Sequence, residues 1–269
     1  ASGLLPGSVF AMNRKPSDLY DIPKFGNVSL MHFTDCHAQL LPVYFREPNV
    51  NIGLGDAYGK PPHVVGKNFL KHFEIAENSV QAHAFTYLNF DEASRQYGKV
   101  GGFAHLASLV KKVRAERGEQ NCLLLDGGDT WQGSATALWT RGQDMVGACN
   151  QLGVDLMTGH WEFTYGADRV NELIDTLNFP FLAGNVTDTE WEESVFPSTQ
   201  FVERGGIKIA VIGQAFPYTP VANPRYMIPE WSFGIREALV QENVTKVREQ
   251  GAELVVLLSH NGFDVDRKL

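Results

Sequence analysis

Asp35, His37, Asp129, His160 and His260 are the residues of this sequence best equipped for chemistry, because each sits just past an apolar run. Residues 28–34 lead into Asp35-Cys36-His37. Residues 122–125 lead into Asp126-Gly127-Gly128-Asp129, residues 156–159 into His160, and residues 254–259 into His260. Carboxylates and imidazoles are hard or borderline donors that suit Mn, Fe or Zn better than a thiolate-loving metal. Four strand-like runs that each deliver such a donor at their C-terminal end point to one metal site. A bridging carboxylate holds two ions roughly 3.5–4 Å apart. Such a pair ionises water near neutral pH and neutralises the oxygens of a phosphoryl or sulfonyl centre.

The elements that must position these donors alternate along the chain. After a strand at about 28–35, Phe103, Leu106, Leu109, Val110 and Val113 recur at helical spacing, with Lys111, Lys112, Arg114 and Arg117 opposite. A strand at 122–126, a helix at about 134–151, a strand at 155–159, a helix near 167–177 and a strand at 179–186 follow. Gly205-Gly206 between two β-rich runs marks a tight hairpin. A helix at about 233–250 and a strand at 253–259 complete the pattern. Strands separated by helices predict a largely parallel sheet with right-handed crossovers, and in such sheets ligands bind outside the carboxyl ends of the strands.

Residues 1–27 read as an irregular lead-in, and 28–269 as the catalytic domain. Residues 41–97, rich in Gly and Pro, read as an insertion with one helix-like piece around 69–76. His32 falls on the strand face opposite Asp35 and reads as a core histidine. Asp126 reads as a partner for a nearby loop amide, and Glu162 as a support for its turn or a contact behind a metal ligand rather than a ligand itself. The three cysteines, Cys36, Cys122 and Cys149, form no disulfide framework and read as small buried apolar residues. A formal net charge of −8 argues against nucleic-acid binding, which needs clustered Lys and Arg. No apolar run reaches the roughly 20 residues that span a bilayer.

In order and spacing these boxes resemble the calcineurin-like metallophosphoesterases. Within them, Asp126-Gly127-Gly128-Asp129-Thr130-Trp131-Gln132-Gly133 resembles the Asp-x-x-Asp-x-x-Gln-Gly pattern of the 5′-nucleotidase branch, as does the Tyr97–Gly102 segment before the first long helix. The third box departs from that branch. It reads Gly159-His160-Trp161-Glu162-Phe163-Thr164-Tyr165-Gly166. His160 stands at the branch's ligand Asn, Trp161 at its catalytic His, and Thr164 at the acid partnering that His. This variant, with Phe33–Leu40 and the insertion opening Pro42-Val43-Tyr44-Phe45-Arg46-Glu47-Pro48, is similar to the SoxB family of Sox-pathway thiosulfohydrolases.

The resemblance implies an α/β, metallophosphoesterase-like αββα sandwich, here truncated at its C-terminus. It implies two Mn2+ ions, with Zn2+ or Fe as alternatives. Asp35 and His37 would hold one ion, Asp129 would bridge, and His160 and His260 would serve the other. Trp161 and Thr164 become the candidate catalytic positions. An indole cannot protonate a basic leaving group as an imidazole does. That suits a persulfide, expected to be more acidic than a Cys thiol of pKa about 8.5. The implied reaction is hydrolysis of a cysteine S-thiosulfonate, an S-sulfosulfanyl-L-cysteine, releasing sulfate. The implied partner is a Sox carrier protein with the modified cysteine on its C-terminal arm, which would enter a channel walled in part by Trp161 and residues 41–97. Nucleic acid and membrane are not expected as partners. The implied location is the periplasm, with an export leader removed before Ala1.

The family's Gly-His-x-His box is not found before Leu269, so weak metal occupancy and little turnover are expected of these 269 residues alone. Two rival readings remain: a 5′-nucleotidase-type phosphohydrolase, and a non-catalytic fragment that docks a partner.

Overall fold

The computed structural model describes residues 23–269, so residues 1–22 of the expected lead-in lie outside the described residues. The chain divides into two compact units.

One unit contains Leu41–Gly102. The single helix expected there is instead three short ones: α1 (Gly66–His72), α2 (Val80–Phe85) and α3 (Phe90–Tyr97). Each is too short to show the 3.6-residue period in sequence, which is why only the neighbourhood of α1 was legible. Leu70, Ile75 and Ala82 form a small core of their own. The Arg46 guanidinium donates to the carbonyls of His83, Ala84 and Thr86 at 2.8, 3.0 and 3.1 Å, satisfying orphan acceptors at the end of α2.

The other unit contains Phe25–Leu40 and Phe103–Leu269. Its first half runs β1 (Ser29–Phe33), α4 (Phe103–Arg117), β2 (Cys122–Asp126), α5 (Ala135–Thr140), α6 (Gln143–Leu152), β3 (Leu156–Met157) and α7 (Ala167–Ile174). Its second half runs β4 (Thr187–Asp188), β5 (Thr199–Arg204), β6 (Ile207–Gln214), α8 (Thr219–Ala222), β7 (Trp231–Ser232), α9 (Glu237–Glu249), β8 (Leu254–Ser259) and α10 (Phe263–Asp266). β1, β2 and β3 form one parallel sheet in that order. A second sheet has the order β5-β6-β8, with β5 antiparallel through the Gly205-Gly206 turn and β8 parallel. Both glycines have positive φ, as a tight hairpin requires.

Side-chain alternation along the strands builds the layers. Leu123 and Leu125 of β2 meet Leu156, Leu182, Ile209, Val211 and Leu258 in a core shared by the two sheets. Leu124, between them in sequence, faces the opposite way into the larger core with Phe103, Val110, Met145, Cys149, Val170 and Leu173 of the helices. Ala210 of β6 packs with Val247 of α9 behind the second sheet. Helix, sheet, sheet, helix is an αββα sandwich of mixed α/β class. Each fully buried Leu or Ile in these layers stabilises the fold by about 1.5–3 kcal/mol.

Three expectations need correction. The helix at 134–151 breaks into α5 and α6, because Arg141 and Gly142 adopt positive φ of 51° and 82°. The strand at 179–186 is not formed as such. Phe181 makes an isolated bridge to Met157, and pairing resumes only at β4. His32 is not a core histidine: β1 is an edge strand, and His32 and Leu30 on one of its faces are both exposed. Cys122 and Cys149 are buried as expected, whereas Cys36 is half-buried in the loop after β1. No helix among the described residues is long and apolar enough to cross a membrane.

Candidate metal centre

Four strands of one unit end at one place. β1 leads to Asp35 and His37, β2 to Asp129, β3 to His160 and β8 to His260. The loops are fastened to one another by their backbones. Asp35, His37 and Ala38 donate to the carbonyls of Gly128, Asp129 and Thr130, each at 3.0 Å. His260 donates its backbone N–H to Gln214 at 2.9 Å. Gly133 allows the first two loops to lie this close, since a Cβ there would sit 2.5 Å from the His37 carbonyl oxygen. Asp35, His37 and Asp129 all have positive φ, a region that Asp and His tolerate better than most residues.

Asp129 is the hub. Its Oδ2 lies 3.0 Å from His37 Nε2 and 3.0 Å from His160 Nδ1. Asp35 Oδ1 lies 3.7 Å from both His37 Nε2 and His260 Nε2. The His160 and His260 rings stack at 4.3 Å, and Phe216 meets His160 edge-on at 4.1 Å. Ligand atoms of Asp35, Asp129, His160 and His260 all lie within 4.8 Å of one another. The structure thus brings all five sequence-derived residues together.

Burial pushes the Asp129 carboxyl up, but hydrogen bonds from His160 and His37 outweigh it and hold it at about 2. Asp35 is also lowered: burial opposes ionisation, but contacts with His37 and Thr34 prevail. His37 is raised to about 10 by its contacts with Asp129 and then Asp35. His260 Nδ1 lies 2.6 Å from the Gly127 carbonyl, which can only accept. That contact fixes a proton on Nδ1 and turns Nε2 toward Asp35 Oδ1. Oxygen and imidazole donors converging on a shared carboxylate fit one or two divalent ions of the Mn, Fe or Zn type.

Asp126 accepts from the Gly128 N–H at 2.9 Å and the Thr130 hydroxyl at 2.8 Å, away from the cluster. Trp161 lies beside His160 with ring centroids 5.3 Å apart and is half-buried. Thr164 is engaged within the loop: its hydroxyl donates to the Trp161 carbonyl at 2.7 Å and accepts from the Gln132 amide. Sequence reasoning missed Phe216. Its position two residues past the end of β6 was the available signal, because that is where the other site residues fall. Asn185 holds its loop with a two-way bond to Ala215, at 2.7 and 2.8 Å.

No family model matches the sequence. A sulfate thiohydrolase SoxB of Thermus thermophilus superposes with a TM-score of 0.86 at 37% identity, over 93% of this chain and 46% of that one. A snake venom 5′-nucleotidase of Gloydius brevicauda is 30% identical over 193 residues, 66% of this chain and 32% of that protein. The chain belongs to the SoxB/5′-nucleotidase superfamily of metallophosphoesterases. A 5′-nucleotidase precursor of Thermus thermophilus shares the superfamily fold, with a TM-score of 0.63 at 23% identity. The chain spans about a third of the length of the curated superfamily relatives it matches, and 46% of the SoxB chain.

Proposed function

We propose that this chain carries the catalytic centre of a sulfohydrolase that cleaves a cysteine S-thiosulfonate on a carrier protein. Water adds its oxygen to the sulfonyl sulfur, the sulfur–sulfur bond breaks, sulfate is released and a persulfide stays on the carrier cysteine. Asp35 and His37 would hold one divalent ion and His160 and His260 the other, with Asp129 between them. Manganese is the ion of this reading, and Zn2+ or Fe the alternatives. When bound, the ions supply Lewis-acid activation of water and neutralise anionic oxygens.

The observation that carries the reading is Trp161. It stands next to the donor His160, 5.3 Å ring to ring, where a phosphomonoesterase of this superfamily would need a general acid. Its indole N–H is not an acid at neutral pH, so the site favours a leaving group that departs without a proton. A persulfide is one; the alkoxide of a nucleoside is not. The similarity to SoxB at 37% identity supports the same reading. The carrier would present its modified cysteine on a C-terminal arm, and the reaction would take place in the periplasm.

The curated relatives, which include the 5′-nucleotidases of Gloydius brevicauda and Bos taurus, favour a second reading as a nucleotide phosphohydrolase. Parallel assays separate the two. Sulfate release from a thiosulfonated carrier, with no phosphate from nucleoside monophosphates, supports the first; the opposite pattern establishes the second. Trp161→His is expected to lower sulfate release, and an unchanged rate would remove Trp161 from the site's function.

A further inference from the structure

Glu162 is fully buried, and four backbone amides converge on it. Its Oε1 accepts from Thr130 at 2.7 Å and Trp131 at 3.2 Å. Its Oε2 accepts from Asp129 at 3.2 Å and His160 at 2.6 Å. Three of these N–H groups are successive, which makes the Asp129–Trp131 turn an anion-binding nest with an internal carboxylate in it. The fourth comes from a separate loop, the one that follows β3.

Two of the four amides belong to candidate metal ligands, Asp129 and His160. Asp129 has φ of 58°. Conformations of this kind persist only where the surroundings over-determine them. One oxygen, Oε2, takes the N–H of both residues, so a single atom ties the two loops together at the candidate ligands. The same two residues also meet through their side chains, with Asp129 Oδ2 3.0 Å from His160 Nδ1.

We propose that Glu162 is the positioning residue of the metal centre, fixing Asp129 and His160 at the spacing that a shared cation requires. The proposal rests on the reading of the five-residue cluster as a metal site. A glutamine keeps the shape but turns an NH2 toward two backbone N–H groups, losing two of the four bonds.

Mn2+ titration followed by the electron paramagnetic resonance signal of the free ion tests this without any turnover. Wild type, Glu162→Gln and Glu162→Asp are compared, with circular dichroism of the metal-free proteins as the check on folding. A folded Glu162→Gln that binds Mn2+ at least ~10-fold more weakly is the expected result, the range known for groups that orient metal ligands. A folded Glu162→Gln with wild-type affinity overturns the proposal while leaving the metal centre intact. If that variant does not fold, Glu162→Asp decides by the same criterion. If neither folds, Glu162 is a folding element and the positioning role is overturned. Absence of Mn2+ binding by the wild type brings down the metal reading and this proposal together.

Discussion

Asp126 and Asp129 are three residues apart and are driven in opposite directions. Asp129 sits among imidazoles and is held at about 2. Asp126 is fully buried, and burial raises its carboxyl to about 8 despite bonds from Gly128 and Thr130. In the fold Asp126 therefore keeps its proton at pH 7, while in the unfolded chain it has lost it above its ordinary value of 3.8. The stability from this group is full below that value and is lost as pH rises toward 8, because unfolding releases a proton across that window. Asp126→Asn keeps an oxygen for Gly128 and Thr130 and has no such proton. Urea midpoints from pH 5 to 8 should fall less for the variant than for the wild type, and parallel curves would show that Asp126 is ionised in the fold. Sequence alone named Asp126 and Asp129 with different roles, but it could not give the direction of either shift, since that depends on burial and on neighbours distant in the chain.

The elements matter here through their ends. Each donor follows a strand by one to four residues, so the apolar runs and their terminal polar residues were enough to single out the five that the fold brings together. The helix carrying Phe103, Val110 and Val113, the hairpin and the last helix–strand pair were equally legible, because their periods of 3.6 and 2 are long enough to read. What could not be read was set by backbone conformation and tertiary contact. Arg141-Gly142 splits the helical pattern at a lone glycine, which a helix interior also tolerates. Glu162 was legible as a support for its turn, but not the three amides of a second loop that it also holds. Gly133 is an element-scale feature of the same kind, with a φ of 133° and no room for a Cβ against His37. Gly133→Ala should push the first loop away from the second and weaken Mn2+ binding several-fold, measured by the same free-ion signal. Ser134 caps α5 by accepting from Ala137 at 3.2 Å, so Ser134→Ala should lower stability by about 1 kcal/mol in urea unfolding while leaving metal affinity unchanged.

At the scale of the molecule, two sheets pack face to face, and strands from both deliver donors to the same end. The first sheet gives Asp35, His37, Asp129 and His160; the second gives His260. A cation held across both would join them, so Mn2+ should raise the melting temperature of the folded protein, and Asp129→Asn should remove most of that rise. The central claim is that these five residues hold a pair of ions with Asp129 between them. Low-temperature electron paramagnetic resonance of the protein at saturating Mn2+ tests it most directly. A spin-coupled Mn2+ pair in the wild type that disappears in Asp129→Asn is the predicted result. Isolated Mn2+ only, in both proteins alike, would contradict it.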